Sequence, residues 1–113
     1  MAQVHNDIDW EQLHELSGND PEFEQELLQI FLKDSQGQIT YLESAWSSHD
    51  LAEVRQIAHH IKGASANVGA VTLSTLAAQI EVAARNQQPE AIPQALASLS
   101  QSLERLQHSL GNG

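Results

Sequence analysis

Apolar residues recur along this chain at alternating steps of three and four, the spacing that most limits the folds open to it. The clearest stripe comprises Leu51, Val54, Ala58, Ile61, Ser65 and Val68. A second stripe comprises Ile92, Leu96, Leu99, Leu103, Leu106 and Leu110. This spacing is typical of helices with one buried face, whereas a half-buried strand alternates with a period of two. Such helices bury their stripes against one another, so the pattern predicts helix-on-helix packing.

Capping residues predict where the helices begin and end. Asp20-Pro21 offers an N-cap and a first-turn proline for a long second helix. Asp50 and Glu53 have capping-box spacing before the third helix, which Asn67-Val68-Gly69 is expected to end. A short first helix is expected over residues 9–16, a fourth over about 70–85, and the last is anchored near Pro93.

Together these helices predict an all-α fold: an antiparallel four-helix bundle with a short additional N-terminal helix. The length fits a single domain over residues 1–113, with an ordered core of about 8–110. The second helix is expected to run unbroken through Gly37, because no proline or loop cluster accompanies that glycine. Its predicted inward residues are Phe23, Leu27, Ile30, Phe31, Ile39, Leu42, Ala45 and Trp46. The predicted buried side of the first helix is Ile8, Leu13 and Leu16.

Composition excludes several classes of function. The chain has no cysteine, which excludes disulfides, thiolate zinc sites and cysteine nucleophiles and fits a reducing, cytoplasmic location. Fifteen acidic residues against five basic ones give a net charge of −10, which disfavours nucleic acid and anionic membranes as partners. No apolar run has the length needed to cross a bilayer. The expected oligomeric state is a monomer.

Two adjacent histidines, His59 and His60, lie more than a right angle from the apolar stripe of the third helix, so both are expected to be exposed. Their neighbours in the helical projection differ. The neighbours of His59 are Arg55, Lys62, Gly63 and Ala66. Those of His60 are Glu53, Gln56, Ala64 and Asn67. Cations therefore lie beside His59 only.

This environment suits a nucleophilic imidazole that carries a phosphoryl group. Neutral imidazole is abundant near pH 7 because its unperturbed pKa is about 6.5. Phosphoryl transfer depends mainly on positioning and charge neutralisation. Lys62 is the first candidate for stabilising the phosphoryl group, with Arg55 second, and Gly63 leaves room for close approach.

The stretch His59–Ala70, which reads HHIKGASANVGA, resembles the signature of histidine-containing phosphotransfer domains of multistep phosphorelays. The resemblance extends over nearly the whole chain. It implies that His59 is phosphorylated, that His60 occupies a variable position, and that Lys62 and Gly63 are the signature lysine and glycine. It also implies a phosphocarrier without kinase activity, which accepts a phosphoryl group from one receiver-domain aspartate and passes it to another.

The resemblance also fixes the expected partners and cofactors. The partners are response-regulator receiver domains, with a hybrid sensor histidine kinase as a further candidate. This chain needs no cofactor of its own, and Mg²⁺ is expected on the receiver. One departure concerns Glu81, which stands where many members have a glutamine that orients the histidine ring. A carboxylate can orient the ring but repels an adjacent phosphoryl group, so the sequence leaves its role open.

Three alternative interpretations of the sequence are a sensor-kinase phosphoacceptor domain, a zinc site and an interaction module. The phosphoacceptor domain of a sensor kinase usually has an acidic residue after its histidine and a proline a few positions later, and neither is present here. A zinc site is disfavoured because adjacent histidines on a helix diverge by about 100°. The remaining alternative is a helical-bundle interaction module that works without phosphorylation.

Overall fold

The computed structural model describes residues 7–111, and side chains as far as residue 109. Within this range the chain forms five α-helices and no strand. The helices are α1 (Trp10–Leu16), α2 (Pro21–Ser47), α3 (Leu51–Asn67), α4 (Val71–Arg85) and α5 (Ile92–Leu106). A 3₁₀ turn (Pro89–Ala91) precedes α5 and a π-helical turn (Gln107–Gly111) follows it. The predicted all-α bundle with a short additional N-terminal helix is confirmed.

Aspartates cap the first three helices. The side chain of Asp9 accepts a hydrogen bond from the backbone N–H of Gln12, and that of Asp50 accepts one from Glu53. Asp20 accepts two backbone N–H groups ahead of α2, which has its proline at the first turn. These bonds satisfy amide groups that have no partner inside the helix.

The long α2 helix sets the size of the bundle. Its 27 residues pass through Gly37 without a break, as predicted, and at 1.5 Å per residue they extend about 40 Å. That length accounts for the 42 Å long dimension of the molecule. The helices α3 and α4 run antiparallel through the short connection at residues 68–70, and they form the most extensive helix pair in the fold.

The core consists of the apolar stripes of all five helices. The stripe predicted for α3 is buried except for half-buried Leu51. The stripe predicted for α5 is buried as far as Leu106, and the side chain of Leu110 lies outside the described residues. Ile8, Leu13 and Phe31 are buried as predicted, while Trp46 is half-buried.

Three residues predicted to be buried are exposed instead. Phe23 and Ile30 on α2 retain 44% and 68% of their accessible surface, and Leu16 on α1 retains 40%. The core stripe of α2 starts from Leu28 and includes Leu32. At 100° per residue, Phe23 and Ile30 lie more than a right angle from that stripe. The prediction for these positions was wrong because the N-terminal half of α2 has apolar residues on two faces, of which the bundle covers one.

Gly69 joins the N-terminal segment to the end of α3. Its backbone lies in the left-handed region (φ +81°), and its carbonyl accepts a 2.7 Å hydrogen bond from the N–H of Asp9. A Cβ at this position would lie 2.8 Å from the Asp9 carbonyl oxygen. Both the backbone conformation and the close approach therefore require glycine here. Gln12 strengthens the contact by donating to the Ala66 carbonyl at 2.6 Å, so that α1 covers the end of α3.

Candidate functional site

His59 lies at the middle of α3 with its ring largely in solvent. Its side chain retains 66% of its accessible surface. The only hydrogen bond it makes within the described part of the chain joins Nδ1 to Oε2 of Glu81, at 2.8 Å. The imidazole is therefore held through one nitrogen, while the rest of the ring remains accessible.

Glu81 is the buried member of this pair. It extends from α4 toward α3, and its side chain retains 10% of its accessible surface. Its second oxygen, Oε1, lies 2.8 Å from Nζ of Lys62. The Lys62 ammonium lowers the pKa of Glu81, burial opposes that shift, and the hydrogen bond from His59 lowers the pKa further. The pKa stays below its ordinary value, so Glu81 is an anion at neutral pH.

An ionised Glu81 determines which nitrogen of His59 bears the proton. A carboxylate can only accept hydrogen bonds, so the Nδ1 atom that contacts it is the donor. Neutral His59 is then protonated on Nδ1, and Nε2 has a free lone pair. The group that orients the ring thus leaves the exposed nitrogen nucleophilic.

Space around His59 is open on both sides along α3. On the C-terminal side, Gly63 is exposed, and a Cβ there would meet no atom within 4 Å. On the N-terminal side lies an open cleft of about 430 Å³, lined by Ala52, Arg55, Gln56, His59 and Glu81. Sequence reasoning placed Gln56 beside His60, whereas the structure places it in the cleft with His59.

The structure therefore brings together the five residues singled out from the sequence. Lys62 and Glu81 form an ion pair, Glu81 binds His59, Arg55 lines the adjacent cleft, and Gly63 follows one turn later. The Lys62–Glu81 ion pair was not foreseen. The sequence signal that could have predicted this pair is a cation on α3 and an anion on α4, two helices that run antiparallel in the bundle.

His60 has different surroundings. Its Nε2 lies 3.5 Å from Oδ2 of Asp34 on α2, and both side chains are about half exposed. The ring is thus on the α2 side of α3, away from the cluster formed with α4. Asp34 is a neighbour of the site that the sequence did not identify.

Among the side chains described, no group of three or more His, Asp or Glu residues is arranged to hold a metal ion. None of the helices described is both long and apolar enough to cross a membrane.

Comparison with known proteins gives the family. The model of the Hpt domain matches residues 26–109. A search of curated proteins found no match. Among solved structures, the chain is similar to histidine-containing phosphotransfer protein B (HptB) from Pseudomonas aeruginosa PAO1. The two are 24% identical over 96% of this chain and 94% of that one, with a TM-score of 0.89.

A second solved structure, a putative histidine-containing phosphotransfer protein from rice, is 21% identical. It is matched over 96% of this chain and 80% of its own, with a TM-score of 0.84. At these identities the two structures show a shared fold. The family model covers most of the chain, and the protein belongs to the Hpt domain family. Its role is that of a phosphocarrier in a phosphorelay.

Proposed function

We propose that His59 is the phosphoacceptor and that Glu81 holds it in the reactive tautomer. The observation that carries this proposal is the 2.8 Å hydrogen bond from Nδ1 of an exposed imidazole to a buried, ionised carboxylate. In catalytic triads, too, a carboxylate holds the histidine in the correct orientation and tautomer. The exposed ring reaches a partner, and the buried carboxylate limits the orientations of the ring.

The proposed reaction is a balanced transfer between two proteins. The Nε2 lone pair of His59 attacks the phosphorus of a phospho-aspartate on a receiver domain. An N–P bond forms as the P–O bond breaks, and the aspartate leaves as a carboxylate. Nδ1 keeps its proton, so the phosphorylated ring becomes cationic. The carboxylate of Glu81 stabilises that positive charge, a role that a neutral glutamine fills less well. Transfer to a second receiver reverses these steps.

This chain is proposed to position the imidazole and to supply charge beside it, while the partner supplies the other groups that the reaction needs. Phosphoryl transfer requires little covalent chemistry from the carrier. Mg²⁺ belongs to the receiver in this scheme, and the chain acts without kinase activity of its own. Receiver domains, or a hybrid sensor histidine kinase that contains one, are the proposed partners of a monomeric, cytoplasmic carrier.

The proposed receiver-docking surface lies on α2 and consists of Phe23, Leu27 and Ile30. These residues are spaced four and three apart, so they form one stripe, and Asp34 is the next residue of that stripe. Asp34 contacts His60, which places the stripe beside the phosphoacceptor helix. A receiver that covers His59 would then bury apolar surface that the bundle leaves in water. Half-buried Trp10 packs against the core from α1, the helix that contacts the end of α3 through Gln12.

The experiment that tests this function uses a phosphorylated receiver domain as the donor. Wild-type protein should gain phosphate that is labile in acid and stable in base, as expected for an N–P bond. His59→Gln should gain none, and His60→Gln should be labelled like wild type. Equal labelling of His59→Gln and wild type would show that His59 is not the phosphoacceptor and that the proposal is wrong. Absence of labelling in the wild-type protein would favour the interaction module that works without phosphorylation.

A further inference from the structure

The apolar stripe on the N-terminal half of α2 runs along a shallow open groove. The groove has a volume of about 700 Å³, and its lining residues are Glu22, Phe23, Gln25, Glu26, Leu27, Gln29 and Ile30. All of them belong to α2, so no other helix closes the groove. Contiguous apolar surface that stays in water in this way is typical of a site that another molecule covers.

The groove extends from the phosphoacceptor helix past its end. The contact between His60 and Asp34 sets the level at which the two antiparallel helices α3 and α2 meet. From that level α2 runs back to Pro21, about 20 Å, whereas α3 runs on to Asn67, about 10 Å. The first turns of α2 therefore have no part of α3 beside them. A protein that covers the phosphoacceptor helix can reach the groove without displacing any helix of the bundle.

Two carboxylates, Glu22 and Glu26, border the apolar stripe along one side, and no cation lies among the lining residues. They are one turn apart, and neither has an ion-pair partner among the side chains described. The surrounding sequence has the same sign. Eight of the fifteen acidic residues lie within residues 7–26, and the first lysine or arginine is Lys33. The potential at the edge of the groove is therefore negative.

The sign of this edge limits which proteins can occupy the groove. A second copy of this chain would bring the same carboxylates face to face, because a symmetric dimer apposes identical patches. Like charges at the edge of a contact repel each other, whereas opposite charges speed association and fix the register of the two surfaces. A protein that fits the groove therefore has an apolar centre flanked by lysine or arginine.

We propose that this groove selects receiver domains whose docking face has an apolar centre flanked by basic side chains. The inference rests on the proposed function, and it names the chemistry of the receiver that reaches His59. Phe23 and Ile30 supply apolar area to be buried, which receivers of many kinds can match. Glu22 and Glu26 discriminate among those receivers, because one with acidic side chains at the same places is repelled.

The first test measures the half-saturating concentration of the receiver domain that phosphorylates the wild-type protein. The double variant Glu22→Gln/Glu26→Gln should raise this concentration roughly three- to tenfold at low salt. The difference should vanish near 1 M salt, where the Debye length is about 3 Å. Glu43→Gln/Glu104→Gln removes the same charge from exposed positions outside the groove and should stay within about twofold of wild type. If the two double variants behave alike, the selection by charge is wrong.

The second test reverses the charge with Glu22→Lys/Glu26→Lys. Transfer from the same receiver should need at least about tenfold more receiver at low salt and should approach wild type at high salt. Recovery at high salt also shows that the variant is folded. Tighter binding of the receiver by this variant would show an acidic partner and overturn the proposal.

The outcomes separate this inference from the proposed function. A wild-type protein that no receiver labels counts against the proposed function itself. Labelling that is indifferent to Glu22 and Glu26 counts only against the selection by charge. Sedimentation of the wild-type protein gives a further outcome. A dimer that Phe23→Glu dissociates would place a second copy in the groove and overturn the proposal.

Discussion

The carboxylate of Glu81 on α4 lies 2.8 Å from Nδ1 of His59 on α3, and this contact joins the two most extensively packed helices at the site. The Lys62 ammonium holds the other oxygen of the same carboxylate at the same distance. Glu81 thus has two partners on α3, one turn apart. These two partners define the orientation of the Glu81 carboxylate, and the carboxylate in turn orients the His59 ring.

Replacing Glu81 separates its role as hydrogen-bond acceptor from its role as a charge. Glu81→Gln retains an oxygen that accepts from Nδ1–H, so the rate of phosphotransfer should stay within about tenfold of wild type. Glu81→Leu removes the acceptor and the partner of Lys62, and the rate should fall about 10²-fold because the ring is no longer held. Transfer rates from a phosphorylated receiver check this. Equal rates for the two variants would show that Glu81 does not orient His59.

The lowered pKa of Glu81 predicts how stability depends on pH. Because the folded pKa lies below the ordinary value of 4.5, the unfolded chain binds the proton more readily than the folded one. The Glu81 contacts therefore make their full contribution to the free energy of unfolding above about pH 5. This contribution disappears as the pH falls through the pKa that Glu81 has in the folded protein. Urea unfolding of wild type and Glu81→Gln should show a stability difference that shrinks between about pH 6 and pH 3.

Lys62→Gln provides the control for that experiment. It removes the largest cause of the lowered pKa while leaving Glu81 in place. The pH-dependent part of the stability should decrease in this variant as well. If the stability difference between wild type and Glu81→Gln is the same at every pH, the pKa of Glu81 is not lowered in the folded protein.

Gly63→Ala should make the protein more stable and a poorer carrier. The glycine is helical and faces open space, so alanine fits without a clash and raises the free energy of unfolding by about 1 kcal/mol. The added methyl stands one turn from His59, where a receiver must approach, and transfer should slow. Gly37→Ala adds the same methyl to an equally open site on α2. It should match the gain in stability while leaving the transfer rate near that of wild type.

Ile30→Glu tests the proposed docking surface on α2. Ile30 retains 68% of its surface, so a charge there should change stability by no more than about 0.5 kcal/mol. The half-saturating concentration of receiver for transfer should rise, because the charge would be buried against the partner. Gln101→Glu places the same charge on the exposed side of α5, a helix without extensive contact with α3. If both variants bind the receiver alike, the surface lies elsewhere.

The helices could be predicted from the sequence because each carries its own signals. Asp50 caps α3, Pro21 starts α2, and the stripe of α5 repeats at helical spacing. The faces of α2 could not be assigned correctly, since Phe23 and Ile30 are as apolar as Leu28 and Leu32. Only packing against the other helices selects the buried set. The pattern of apolar residues along a helix cannot distinguish a face that packs against the core from a second face that contacts a partner.

The candidate site could likewise be predicted only in part. Features set by one helix followed from the sequence, and features that depend on two helices did not. Exposure of His59 and its nearness to Arg55, Lys62 and Gly63 follow from the geometry of one helix. The state of Glu81, a residue of α4, depends on two helices, because pairing with Lys62 on α3 lowers its pKa and burial in the bundle raises it. Counting along the chain located Glu81 correctly but could not show that its charge is matched.

The most direct test of the central claim is ¹⁵N and ³¹P NMR of the phosphorylated, histidine-labelled protein. The account predicts one phosphorylated residue, His59, with phosphorus coupled to Nε2 and a proton retained on Nδ1 in its hydrogen bond to Glu81. Phosphorus on Nδ1 of His59, or on His60, would contradict it.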